Sequence, residues 1–252
     1  MASGVKKHRG GRTAGVVASQ PTPQAAAQPA ATSVGPSPTA AMNMPRNYKI
    51  MNDQQAAQLR NDVDDNYDID TVLALKQYVS KKDTGNGYSM SQNLNWKIEN
   101  NKPLSANEQY MFQQIQGAMH PIGQDTVLVR GAHADTAAAL GLTDWSRIKT
   151  DAQLQAAVMG ASFTNKSLMS TSYDVNKNPF LKGAQAGGRE VVLKIKADSQ
   201  TRMVFGAKSQ TEIILGTGQN WRVTGARFTG NTATPRNSTK TYRQIEIEIE
   251  RY

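Results

Sequence analysis

The sequence predicts an α+β domain in which a layer of helices precedes a strand-dominated core. Three observations carry that prediction. Apolar residues recur at three- and four-residue spacing between residues 53 and 119, the repeat of helices with one buried face. From residue 126 onward, short apolar or alternating runs such as TVLVRG (126–131), REVVLKIKA (189–197) and KTYRQIEIEIER (240–251) take over, and helices that precede strands instead of alternating with them indicate an α+β arrangement. The 252 residues suffice for one sizeable domain plus a tail.

The tail comes first. Residues 1–46 are rich in Ala, Pro, Gln, Ser and Thr and contain no acidic residue. Such a segment buries too little apolar surface to offset its conformational entropy and is expected to be disordered. Its basic start (Lys6, Lys7, Arg9, Arg12) is not followed by an apolar core, so it is not read as a conventional secretory signal.

The domain, residues 47–252, divides into a helical part (47–120) and a strand-rich part (121–252). Residues 53–63 and 70–79 read as helices, with Asp53 and Asp70 where an N-cap would stand. The glycine turn at 84–93 leads to a third helix around 94–99, and residues 105–119 open with Ser105 and Glu108 in capping-box spacing. Residues 133–142 and 151–159 read as two short helices, the second ended by Gly160. Strands follow at 166–173, 189–197 and 220–228, with a glycine-rich loop at 177–188 placed as a ligand cover would be. In the last strand Ile245, Ile247 and Ile249 share one face and Glu246, Glu248 and Glu250 the other; period-two alternation accounts for these glutamates without chemistry.

Composition narrows the function. The chain carries 29 Lys plus Arg against 20 Asp plus Glu, a net charge of +9, which favours acidic partners such as nucleic acid or nucleotide phosphates. It has no cysteine and three scattered histidines, His8, His120 and His133. A disulfide framework and a thiolate zinc site are thereby excluded, and no metal is expected. No apolar run approaches the roughly 18 to 20 residues of a membrane span.

Chemistry is expected at strand ends. In residues 205–223, FGAKSQTEIILGTGQNWRV, Gln210-Thr211-Glu212 stands at the mouth of the apolar run Ile213-Ile214-Leu215. The sheet fixes such a carboxylate while water and ligand still reach it. Arg130 ends the strand 126–131, and Ser170-Thr171-Ser172 lies within KSLMSTSY (166–173).

An Arg, a Ser-Thr-Ser and a Gln-x-Glu at strand ends, in that order, resemble the Arg-Ser-Glu branch of the mono-ADP-ribosyltransferases, the group of the bacterial binary toxins and Rho-modifying exoenzymes. The resemblance runs from Ile69 to the C-terminus. It implies the toxin-type fold: two packed β-sheets, NAD bound as substrate in the cleft between them, and an N-terminal helical layer. No glycine-rich dinucleotide fingerprint follows a strand, so a Rossmann site is not expected. On this resemblance Glu212 stabilises the oxocarbenium-like ribose, Ser170 orients the ribose and Glu212, and Gln210 faces the acceptor. Arg130 grips the pyrophosphate, Gly131 approaches the nicotinamide amide, Thr171 lies beside them, and Phe180 in the covering loop stacks on nicotinamide. Tyr88, Asn93 and Lys97 correspond to a Tyr, an Asn and an Arg of the family that touch the dinucleotide, Lys standing where the family has Arg. Gln at position 210 resembles the members that modify a side chain other than arginine.

The expected activity is transfer of ADP-ribose from NAD to a macromolecular acceptor, a protein foremost, by a monomer. An NAD glycohydrolase using the same site, and a non-catalytic basic module that binds nucleic acid through the tail or serves as a scaffold, are the alternatives. A basic leader on a transferase without a secretory signal suits an injected effector or a phage protein, acting in a target cell's cytoplasm or carried in a virion.

Overall fold

The computed structural model describes residues 47–64, 67–80, 85, 87–132, 134–142, 147–174, 185–186, 189–206, 211–233 and 242–252. The tail and most of the glycine-rich loop lie outside the described residues.

After a two-residue strand at Lys49–Ile50 the helices come first, as the periodicity predicts, but their caps differ. In α1 (Asp53–Asp64) the Asn52 side chain accepts from the Gln55 amide at 2.8 Å, so Asn52 and not Asp53 caps the helix. In α2 (Ile69–Tyr78) the cap is Asp68, accepting from Thr71 N at 2.6 Å, and not Asp70. Asp53 and Asp70 sit instead in the first turns, where unpaired N–H groups favour a carboxylate. A reciprocal box between Ser89 and Gln92 starts α3 (Met90–Glu99) earlier than the expected stretch near Leu94. The Ser105–Glu108 box opens α4 (Ala106–Gly117). No helix among the described residues is long and apolar enough to cross a membrane.

The strands are β1 (Lys49–Ile50), β2 (His120–Pro121), β3 (Thr126–Gly131), β4 (Ser162–Thr164), β5 (Met169–Ser172), β6 (Gln185–Ala186), β7 (Arg189–Ala197), β8 (Arg202–Phe205), β9 (Glu212–Leu215), β10 (Asn220–Ala233) and β11 (Tyr242–Arg251), with short helices α5 (Ala134–Ala139) and α6 (Asp151–Val158) between β3 and β4. They hydrogen-bond in the order β2-β8-β9-β5-β3-β7-β11-β10-β4, with β1 beside β3 and β6 beside β7. The path has a narrow point. Strands β3 and β5 share a single register pair, Val129 with Ser172, whereas β3 and β7 pair from Thr126–Ala197 to Gly131–Val192. The expected two sheets are thus two limbs joined at the β3–β5 seam. The sheet is mixed, with β7 and β11 parallel and most other pairs antiparallel.

Alternation decides how the limbs pack. Met169, Phe205, Ile213 and Leu215 from one limb share a core with Leu193, Ile195, Ile245, Ile247 and Ile249 from the other. Leu168, Val204 and Ile214, on the opposite face of the first limb, pack against Ala74, Leu75, Tyr78, Leu94, Met111 and Ile115 of the helices. Each fully buried Leu or Ile contributes roughly 1.5–3 kcal/mol, so the helical layer is held by its apolar stripe more than by propensity. That layer covers the face of β5 and β9 on which the candidate site is built.

Candidate active site

Strand β3 ends in Arg130, whose Nη1 donates to the Ser170 carbonyl at 3.1 Å across the seam. Ser170 lies on β5 opposite Ile214, and Ser172 lies opposite Glu212, the first residue of β9. Because side chains of one strand alternate, Ser170, Ser172, Ile214 and Glu212 share a face. Beside Ser170, Ile214 and Glu212 stands Tyr78, which closes α2 and is fully buried. Burial pushes its phenol up to about 12; hydrogen bonds with Ser170 and Asn95 act against that rise, the Glu212 charge adds to it and Arg130 opposes it. Burial likewise pushes the Arg130 guanidinium down, countered by Tyr78, Glu99 and Glu212. The structure therefore brings Arg130, Ser170 and Glu212, far apart in the chain, around one phenol.

Glu212 is 3% exposed and its position is built from below. A Cβ placed on Gly206 would lie 2.6 Å from Glu212 Cδ, so only glycine leaves room for the carboxylate. The Gly206 amide donates to the Glu212 carbonyl at 3.0 Å, and the Gly206 carbonyl accepts from Arg60 Nη1 at 3.1 Å. Arg60, on α1, also stacks its guanidinium over the Phe205 ring at 4.6 Å. Thr211 has φ +53°, a left-handed conformation that is costly for a β-branched residue. Its hydroxyl is held by the Ser172 hydroxyl at 2.6 Å. Backbone held in such sparsely populated conformations clusters at functional sites.

The other candidates distribute differently. Gly131 is buried at the end of β3 in register with Val192. Thr171 is fully buried and donates to the Ile213 carbonyl at 2.7 Å, on the face opposite Ser170. Asn93 Nδ2 and Lys97 Nζ reach the Glu108 carboxylate of α4 at 2.8 and 2.7 Å, and Tyr88 is 57% exposed. Phe180, Gln210 and His133 lie outside the described residues. On α3 the residues differ by face. Residues two apart on a helix point about 200° away from each other, so when Asn93 and Lys97 turn to α4 it is Asn95 and Glu99 that turn to the sheet. Asn95 Nδ2 donates to the Tyr78 hydroxyl at 3.1 Å and to the Leu168 carbonyl at 2.9 Å, while its Oδ1 is buried with no partner among the described residues. Glu99 accepts from the Ser167 hydroxyl.

Sequence reasoning missed Tyr78, Asn95, Arg60 and Gly206. Only the helical phase of α3, fixed by buried Leu94, could have pointed to one of them. On β11 the isoleucines are buried, Glu246 pairs with Arg227, Glu248 with Lys194 and Lys196, and Glu250 accepts from Tyr48. Among the described residues no group of three metal-ligating side chains is assembled.

No protein-family model and no curated protein matches this sequence. Solved structures do. The enzymatic component C2-I of the C2 toxin from Clostridium botulinum is similar with a TM-score of 0.58 and 16% identity, over 80% of this chain and 48% of that one. A C3 ADP-ribosyltransferase from Clostridium botulinum has a TM-score of 0.57 and 18% identity, over 81% of this chain and 98% of that one. The C3 exoenzyme of Clostridium limosum has a TM-score of 0.53 and 18% identity, over 82% of this chain and 98% of that one. The chain thus spans about half of the C2-I length and nearly all of the two C3 proteins. Its fold is that of the ADP-ribosyltransferase toxins.

Proposed function

We propose that the protein is an NAD-dependent mono-ADP-ribosyltransferase whose acceptor is a protein side chain other than arginine. The observation that carries this reading is the convergence of Arg130, Ser170 and Glu212 around Tyr78. The residues present suit NAD as substrate. A guanidinium made less comfortable by burial gains from an anionic pyrophosphate, which it can grip through two parallel bonds. A buried amide oxygen without a partner among the described residues, Asn95 Oδ1, has room in its chemistry for a ligand hydroxyl or N–H.

Breaking the bond between nicotinamide and ribose needs no acid, because the leaving nitrogen is already cationic and departs neutral. What needs stabilisation is the positive charge that develops on the ribose. The Glu212 carboxylate, directed by Gly206 and the β9 backbone, supplies a fixed negative charge for it, and a preorganised group of this kind contributes roughly 3–4 kcal/mol. Arg130 binds the pyrophosphate and Ser170 orients the ribose. Gln210 stands two residues before Glu212; an amide can orient an uncharged acceptor but cannot act as a base.

The test is incubation of the full chain with labelled NAD and cell lysates, with and without nuclease, following nicotinamide release and label incorporated. Incorporation into protein, unaffected by nuclease, and little labelling of agmatine are expected. Nicotinamide release far exceeding incorporation would replace transfer by hydrolysis. Salt-dependent nucleic-acid binding without NAD turnover would remove the enzyme altogether.

A further inference from the structure

Arg60 stands on α1, far from Glu212 in the chain, yet it is buried. A buried guanidinium needs hydrogen-bond acceptors for its protons and tolerates an aromatic face against its plane. Arg60 finds both where β8 ends. Its Nη1 donates to the Gly206 carbonyl at 3.1 Å, and its guanidinium carbon lies 4.6 Å from the centre of the Phe205 ring, a cation–π distance. Phe205 belongs to the core shared by the two limbs, so the ring is a fixed platform. On its other side Gly206 meets Glu212. The Gly206 amide donates to the Glu212 carbonyl at 3.0 Å, and the Gly206 Cα leaves no room for a Cβ beside the Glu212 carboxylate.

The start of the same segment is tied to the other limb. In β1, Lys49 and Ile50 pair in parallel with Thr126 and Val127, at the end of β3 opposite Arg130. The Tyr48 hydroxyl donates to the Glu250 carboxylate of β11 at 2.8 Å. Met51 and Ala56 are buried in the shared core, and the helical steps from Asp53 to Arg60 span about 10 Å without slack.

We propose that Arg60 is a positioning residue for the Glu212 carboxylate, and that residues 48–60 form a strap fixing Glu212 of the first limb relative to Arg130 of the second. The strap acts through Gly206. It complements the β3–β5 seam, which has one register pair. A carboxylate that faces a developing charge is effective only when it is held in place beforehand, so the strap bears on turnover and not on NAD binding.

The effect on turnover rests on the transferase reading, whereas the tie to Gly206 does not, and two measurements keep them apart. Arg60→Met keeps the length of the side chain and removes the donor. In the full chain, nicotinamide release against NAD concentration should show kcat lower by about 10-fold, the worth of one hydrogen bond from a charged donor, with KM unchanged. An unchanged kcat, or a loss confined to KM, would overturn the proposal. Amide exchange followed by NMR reads the tie itself. The Gly206 amide should exchange about 10-fold faster in Arg60→Met, while the amides of β5 keep their wild-type rates. Equal exchange at Gly206 in both proteins would overturn the proposal, and so would uniform acceleration through β5 and β9, the mark of a general stabiliser. Arg60→Lys keeps the charge and a donor but loses the plane that lies on Phe205. It should fall between the two proteins in both measurements, and it replaces Arg60→Met if that variant does not fold. If the wild-type protein releases no nicotinamide, the transferase reading fails, and exchange at Gly206 alone decides whether the strap holds.

Discussion

Gly206 decides where the Glu212 carboxylate can sit. Adding one methyl group there places carbon 2.6 Å from Glu212 Cδ, which a packed interior resolves by turning the carboxylate away. Displacement of a reacting group by about 1 Å costs on the order of 100-fold in rate, so Gly206→Ala is predicted to lose about that factor in nicotinamide release while melting within a few degrees of wild type. A variant with unchanged turnover would show that Glu212 has freedom the structure denies it. Glu212→Gln removes the charge and keeps the shape, and it should cost at least about 100-fold in turnover with NAD affinity retained, measured by calorimetry. Asn165 makes the opposite kind of contribution. Its amide donates to the Ser167 and Gly216 carbonyls and accepts from the Gln219 amide and Trp221 Nε1. Asn165→Ala strands these buried groups, each at roughly 1–3 kcal/mol, and should lower stability by at least about 3 kcal/mol in urea titrations. The placement of Glu212 and Arg130 at strand ends was legible because each stands beside an apolar run, whereas their joining with Ser170 into one candidate site came from the order of the three motifs. Tyr78 was not legible, because a tyrosine at helical spacing looks like core whether its hydroxyl faces a site or the bulk of the domain.

Elements carry the second set of consequences. Helices α3 and α4 are tied by Glu108, which caps α4 through the Ser105 amide and hydroxyl, both at 2.8 Å, and takes Lys97 at 2.7 Å. Burial pushes the Glu108 carboxyl up, but the hydrogen bonds from Lys97 and then Ser105 outweigh it and hold the group below the usual carboxylate range. Its folded proton affinity is thus lower than its unfolded one, near 4.3. Stability from Glu108 is therefore complete above that value and is lost as pH falls through the lower, folded one. Melting temperature is predicted to drop with acidification below about pH 4.3, and less steeply in Glu108→Gln, whose stability at neutral pH should be lower by about 2–4 kcal/mol. An identical slope in both proteins would remove Glu108 from the account. The Ser105 and Glu108 spacing predicted this cap directly, whereas the lysine and asparagine that complete the tie were expected at the nucleotide. Spacing gives a helix face but not the element it meets. The same limit applies to β11, where alternation predicted the buried isoleucines and the charged face, and only the neighbouring strands supply the cations.

At the scale of the molecule, the site stands where the two limbs meet. Arg130 comes from β3, whose register belongs to the second limb, while Ser170 and Glu212 come from β5 and β9 of the first. One register pair joins β3 to β5, so the limbs are held there by their shared core and by the bond from Arg130 to the Ser170 carbonyl more than by a ladder. The order of helices and strands was legible because periods of 3.6 and 2 differ over a dozen residues. The seam was not, because pairing partners distant in sequence leave no local pattern. A ligand that engages both sides of the seam binds the folded chain alone and must raise the free energy of its unfolding. At 100 times its dissociation constant NAD should add about 2.7 kcal/mol, which for a domain of this size corresponds to a rise in melting temperature of about 5–10 °C. Arg130→Ala should abolish most of that rise and Glu212→Gln little of it, since on the proposed reading the arginine holds the ground state and the carboxylate acts on the charge that develops later. Equal shifts for wild type and Arg130→Ala would mean that whatever NAD touches, it is not the seam.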